Sequence, residues 1–203
     1  MVQSPLYPPL MSISREIYDF LYHDLSLKSA GLFLGALLLV AHLFGLARAE
    51  ALSDWLKKLP RHPNIGTWLL LVAFVWTFVI WSEMDLGEFF NLERPVQIIL
   101  VAGFFAVSQY VKEFLAVRAI GFLMILAAAP VLDAAFLKPP VTRLLLVALA
   151  YAWILVGMFW VGMPYLMRDQ IDWATAKPGR WKALCLLGAA YGAAILGCAV
   201  AFW

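Results

Sequence analysis

Charged residues are scarce in this sequence of 203 residues, in which Asp, Glu, Lys and Arg together make up only 14%. A soluble domain carries about 25% charged residues, and a disordered chain combines many charges with little apolar surface. The formal net charge is only +2. The low content of charged residues therefore argues against a soluble domain and against disorder. The composition argues against nucleic acid as a partner for a separate reason, because binding phosphates requires clusters of Lys and Arg.

Residues that bind haem or metals are also few: the sequence has two Cys and three His. Only His42 falls within a long apolar segment, so a haem held between two histidines of this chain is not supported. Cys185 and Cys198 are about 20 Å apart along one predicted helix, which is too far for a disulfide. We therefore predict no intrinsic haem or metal site, and the cofactor is unknown.

Apolar residues, in contrast, make up 64% of the chain. The single core of a 203-residue chain cannot bury so much apolar surface, so the bilayer must serve as the solvent. A helical span needs about 20 mostly apolar residues, and the long runs here do not alternate as membrane strands do. We predict an all-α membrane protein, a polytopic bundle of six transmembrane helices. The predicted spans are about 29–47, 65–82, 95–111, 116–137, 143–167 and 183–203.

The residues before the first span form an N-terminal interfacial segment, 1–28, ahead of the membrane domain, 29–203. Ile17, Phe20 and Leu21 recur at helical spacing, with charged residues on the other face. An amphipathic helix of this kind lies in the headgroup plane or on a partner.

A second amphipathic segment follows the first span. Leu52, Trp55 and Leu56 line one face, and Lys57 and Lys58 accompany them. Anionic lipid headgroups attract such a segment, so we expect it at the membrane surface.

The orientation follows from the loops, because cytoplasmic loops are enriched in Lys and Arg. Ten of the fifteen basic residues lie on the loops that follow the first, third and fifth spans. We therefore predict that these loops are cytoplasmic and that both termini face outward. The expected location is the plasma (inner) membrane.

Two ionisable residues fall within the spans, where such groups are costly and often functional. His42 lies near the cytoplasmic end of the first span, and it is either a functional group or one satisfied by a local hydrogen bond. Asp133 follows Pro130, whose ring removes a helical hydrogen bond. It either belongs to an ion or proton pathway, or is an interface anchor that snorkels to the membrane surface or pairs with Lys138 or Arg143.

The turn between the third and fourth spans carries the densest polar cluster near the membrane. It is either a hairpin with interface-facing charges, or a site that holds an anionic solute or a quinone headgroup. The candidate residues are Gln109, Tyr110, Lys112, Glu113 and Arg118.

The acidic loop after the second span also leaves two interpretations open. Asp85 and Glu88 have the spacing to converge on a hard cation from one helical face. The alternative is a solvated acidic rim.

Small residues four apart predict close packing of membrane helices. Gly31 and Gly35 form such a pair in the first span, and Gly188 and Gly192 form one in the sixth. The partner of these faces is either another helix of this chain or another subunit.

No nucleophile elbow and no HExxH pattern occurs in the sequence. The function we predict is that of a noncatalytic integral membrane subunit that scaffolds, anchors or stabilises a larger membrane complex. Its expected partners are membrane lipids and other membrane protein subunits. A small six-helix transporter for a solute or ion is the alternative, with a membrane enzyme acting on lipid or quinone as the third.

Overall fold

The fold of the chain is helical throughout the part that its computed structural model describes. That part comprises residues 9–84, 86–111 and 113–203, without the side chains of residues 9–13 and 63. The α-helices within these ranges are α1 (Pro9–Tyr22), α2 (Leu27–Ala47), α3 (Ala49–Lys58), α4 (Pro63–Glu83), α5 (Glu93–Tyr110), α6 (Leu115–Ala135), α7 (Leu144–Gly162), α8 (Tyr165–Thr175) and α9 (Pro178–Ala201). Short 3₁₀ turns at Leu59–Arg61, Gly87–Leu92 and Val141–Arg143 connect some of them.

Six of these helices, α2, α4, α5, α6, α7 and α9, are long and apolar enough to cross a membrane. The predicted fold class, an all-α polytopic bundle of six transmembrane helices, is therefore confirmed. The division into an interfacial segment, 1–28, and a membrane domain, 29–203, stays a prediction. Residues 1–8 of that segment lie outside the described residues.

The fifth spanning helix is shorter than the sequence predicted. α7 ends at Gly162 rather than at residue 167, because Pro164 has no N–H to donate and disfavours the helical conformation of Met163 before it. The residues that follow form the separate helix α8. The last span also starts earlier than predicted, since Pro178 stands in the first turn of α9, where proline is well tolerated.

The centre of the bundle is formed by α2, α6, α7 and α9. Leu146 of α7 and Ile195 of α9 are fully buried there, packed with Leu34 of α2 and Val131 of α6. Tyr191 adds a hydrogen bond from its hydroxyl to the Leu145 carbonyl at 2.7 Å, which joins α9 to α7. The core therefore unites helices that are distant in sequence.

One end of the bundle carries a layer of short helices. This basic end is where α2 ends and α4 begins, and α3 and α8 contact each other there. Leu59, Val117 and Met167 form a buried cluster between this layer and the spans. The apolar faces of α3 and α8 are thus partly buried against the bundle itself.

α5 lies at the edge of the bundle and packs mainly on α4. Phe104 contacts Phe74 with ring centroids 4.8 Å apart, and the Trp81 indole donates to the Glu93 carbonyl at 3.2 Å. None of the residues of α5 is buried.

α1 packs along the last turns of α4. The Ser14 hydroxyl donates to the Glu83 carboxylate at 2.5 Å, and the Trp76 indole donates to the Tyr22 hydroxyl at 3.3 Å. Burial raises the pKa of Tyr22, so the hydroxyl stays protonated well above neutral pH. These contacts make α1 antiparallel to α4, with its C-terminal end nearer the middle of that span.

Candidate functional site

His42 is held by its own helix and by α9. Its Nδ1 lies 2.7 Å from the Leu38 carbonyl, and because a carbonyl only accepts, Nδ1 carries the proton. The ring rests on Gly188, where a Cβ would overlap its atoms. The contact with Leu38 is the local hydrogen bond that was one of the two interpretations of His42. The position of the ring also explains why residue 188 is a glycine, since a side chain there would overlap the imidazole.

A pocket of about 240 Å³ lies beside His42 at the basic end, between α2, α3 and α9. Its lining is apolar apart from His42, Cys185 and Trp181, and the Trp181 indole already donates to the Gly45 carbonyl at 2.9 Å. Cys185 is a buried free cysteine. The pocket therefore offers two ionisable side chains and little else for a polar ligand.

Asp133 lies at the opposite end of the bundle from His42, close to the C-terminus of α6, and is exposed. Neither predicted partner forms an ion pair with it. Arg143 donates instead to the Lys138 carbonyl, and the ion pairs in the described part of the chain are Arg15–Asp19 and Arg168–Asp169. His42 and Asp133 are therefore not brought together.

The predicted polar cluster of the α5–α6 turn is divided. Gln109, Tyr110 and Glu113 are exposed, and no hydrogen bond or ion pair in the described ranges joins them to Arg118. Lys112 lies outside the described residues. The exposed members therefore form no common site with Arg118.

Arg118 turns into the bundle instead. Its Nη1 donates to the Val161 carbonyl at 2.5 Å, while Nε is buried without a partner among the residues described. Val161 lies in the last turn of α7, where the helix dipole favours a positive charge. Arg118 thereby joins the start of α6 to the end of α7.

Phe114 is a residue of this turn that sequence reasoning missed. Its φ of 54° is left-handed, which is rare for a bulky side chain. Its carbonyl accepts hydrogen bonds from the backbone N–H groups of Val117 and Arg118. The conformation of Phe114 therefore makes the sharp reversal that starts α6.

The cation alternative for the acidic loop is not tested by the structure. Asp85 lies outside the described residues, and Glu88 is exposed on the Gly87–Leu92 turn. The nearby Glu83 accepts the Ser14 hydrogen bond, and Glu93 accepts one from Gln97 at 3.3 Å.

The predicted small-residue motifs meet each other inside the chain. A Cβ on Gly35 would lie 3.0 Å from the Gly192 carbonyl oxygen, and one on Gly192 would lie 2.9 Å from the Gly35 oxygen. Gly31 packs on Trp203 in the same interface. Both motifs are thus used for the antiparallel contact of α2 with α9.

Two further glycine contacts escaped the sequence analysis. A Cβ on either Gly121 or Gly157 would lie 2.7 Å from the carbonyl oxygen of the other, between α6 and α7. A Cβ on Gly66 would lie 2.7 Å from the backbone nitrogen of Ala116, between α4 and α6. None of these three glycines has a second glycine four residues away in its helix, so the motif that marks α2 and α9 is missing.

Comparisons with known proteins add no family to this description. No protein-family model matches the chain, and neither the curated proteins nor the solved structures contain a match. Within the described ranges, no three His, Cys, Asp or Glu side chains gather closely enough to hold a metal ion.

Proposed function

We propose that this chain is a noncatalytic integral membrane subunit that enters a larger membrane complex through α5. The observation that carries the proposal is that α5 is a spanning helix without a buried residue. Helices associate in membranes through close van der Waals packing. Because α5 has little of this packing within its own chain, a helix of a neighbouring subunit supplies the missing packing.

The outward face of α5 has the features of a packing surface. Ala102 and Ala106 are exposed and four residues apart, which is the spacing that lets two helix backbones approach. Ile98, Ile99 and Phe105 surround them and are 60–69% exposed. Small residues flanked by large apolar ones form the kind of surface into which a second helix fits.

The transporter alternative draws less support from the same features. A transport pathway would have to join His42 near one end of the bundle to Asp133 near the other. The pocket beside His42 is lined almost throughout by apolar side chains, and the exposed polar side chains of the α5–α6 turn do not lead to it.

Site-specific photo-crosslinking in native membranes tests the proposal. A benzophenone side chain replaces Ile99 on α5, which is 66% exposed, and separately replaces Leu187 on α9, which is 68% exposed. We expect position 99 to give one discrete product with a specific membrane protein, and position 187 to give only lipid adducts. Ala106→Trp, which fills the face, should abolish the product at position 99.

Two results would contradict the proposal. The first is equal labelling of positions 99 and 187, and the second is a chain that stays a partnerless monomer after extraction in mild detergent. Solute flux into proteoliposomes would favour the transporter instead. Flux that survives both Asp133→Asn and His42→Ala would remove these two residues from its mechanism.

A further inference from the structure

An apolar groove of about 410 Å³ runs between α1 and α4. Ile17 and Leu21 form the α1 wall of this α1–α4 groove. The α4 wall includes Trp68, Val72, Val75 and Val79. Every side chain that lines the groove among the described residues is apolar or aromatic, and Val72 and Val75 are about half exposed.

Two polar groups of α1 and α4 next to the groove are already paired. The indole N–H of Trp76 donates to Tyr22, and the Ser14 hydroxyl donates to Glu83. These two bonds also hold α1 against α4. An occupant therefore meets hydrocarbon walls, and it must itself be apolar along its length.

The dimensions of the groove fit one hydrocarbon chain. From Trp68 to Val79 the groove follows α4 for about 17 Å at 1.5 Å per residue, which is close to half of the ~30 Å hydrocarbon core and so to one leaflet. One acyl chain, which extends through a single leaflet, therefore has the length to occupy the groove.

Charge complementarity places the headgroup. The Trp68 end of the groove is at the basic end of the bundle, and α4 is preceded there by the exposed Lys57, Lys58 and Arg61. Glu83 occupies the other end of α4. An anionic headgroup is favoured beside Arg61 and disfavoured beside Glu83, and Trp68 has the interfacial position that tryptophan prefers.

We propose that the α1–α4 groove binds one acyl chain of an anionic phospholipid, whose headgroup lies beside Arg61. The acyl chain enters the groove at Trp68 and extends along Val72 and Val75 toward Ile17 of α1. This site is independent of the subunit role proposed for α5, which lies on another face of α4.

Native mass spectrometry of the full chain, titrated with dioleoylphosphatidylglycerol or dioleoylphosphatidylcholine, tests the site. We expect one phosphatidylglycerol to bind more tightly than any phosphatidylcholine. Val75→Trp, which fills the groove, should weaken that binding at least tenfold, and Val72→Trp, one turn away on the same α4 wall, should do the same. Leu187→Trp, on the exposed face of α9, is the matched control and should bind like the wild type.

The headgroup is tested separately with Arg61→Gln. A basic residue near a lipid surface contributes about 1 kcal/mol, so this variant should bind phosphatidylglycerol about fivefold more weakly and phosphatidylcholine unchanged. Circular dichroism and thermal unfolding establish that each variant is folded.

Three results would overturn the proposal. They are wild-type binding by both groove-filling variants, an equal loss in Leu187→Trp, and equal wild-type affinity for the two lipids with no effect of Arg61→Gln. If Val75→Trp instead dissociates an oligomer while phosphatidylglycerol binding is unchanged, the groove is a protein interface and the lipid assignment fails.

Discussion

Gly121 of α6 and Gly157 of α7 contact each other backbone to backbone. A Cβ on either residue would lie 2.7 Å from the carbonyl oxygen of the other. Such a contact with a backbone atom cannot be relieved by rotating a side chain, so the distance between α6 and α7 depends on both residues remaining glycine. Arg118 and Val161 join the same two helices one turn away.

Gly157→Ala should lower the free energy of unfolding by about 1–3 kcal/mol, which is the usual cost of overpacking a tight interface. The measurement is reversible unfolding in mixed detergent and sodium dodecyl sulfate micelles. Gly162→Ala, in the same helix, is the control because a Cβ there meets no atom within 4 Å. Equal effects of the two substitutions would contradict the close contact.

Gly192→Ala should also be destabilising, by a similar 1–3 kcal/mol, because its Cβ would lie 2.7 Å from the backbone nitrogen of Leu39. Gly197→Ala on the same helix has open space around its Cβ. Alanine is the better helix former, so this control should be neutral or up to about 1 kcal/mol more stable. If both variants of α9 were neutral in the unfolding assay, the α2–α9 interface described above would be wrong.

His42 and Gly188 should be energetically coupled, because the imidazole ring occupies the space of a Cβ at position 188. We expect Gly188→Ala to cost about 1–3 kcal/mol in the wild-type background and much less in a His42→Ala background. The measurement is a double-mutant cycle of unfolding free energies, with an expected interaction energy of about 0.5–3 kcal/mol. Strictly additive effects would show that the ring does not rest on this glycine.

Arg118→Ala should destabilise the bundle by about 1.5–3 kcal/mol, since it removes a hydrogen bond between a charged donor and the Val161 carbonyl. Arg168→Ala is the control. The Arg168 side chain is 43% exposed and pairs with its neighbour Asp169, and such surface pairs contribute about 0–1 kcal/mol. If Arg168→Ala lowered the free energy of unfolding as much as Arg118→Ala does, the hydrogen bond from Arg118 to Val161 would make no specific contribution to the stability of the bundle.

The six spans could be predicted from the sequence because the length of an apolar run is a local property that the bilayer thickness imposes. The amphipathic character of α1 and α3 could be predicted for a similar reason, because it follows from spacing along one helix. α8 is not apparent from the sequence, because Met163 and Pro164 follow an apolar run without a polar break and the run continues to residue 167. The backbone restriction from the proline outweighed the hydropathy there.

The candidate site was less predictable than the spans. His42 and Asp133 stood out as ionisable residues in apolar segments, but their partners depend on which helices are neighbours. Hydropathy carries no information about that choice. The spacing of polar residues marks Arg118 as a candidate ligand-binding residue, and only the structure shows that its guanidinium donates to a carbonyl of α7.

From the sequence alone one can predict that the chain is a membrane protein, how many of its helices are long enough to cross the bilayer and which faces of the short helices are apolar. These properties follow from the transfer of individual residues between water and hydrocarbon. The packing of the helices was needed to establish that the glycines of α2 and α9 face each other, that Gly121 contacts Gly157, and that α5 lacks buried residues. Those outcomes depend on shape complementarity between helices that are distant in sequence, because in hydrocarbon the packing of surfaces decides which helices associate.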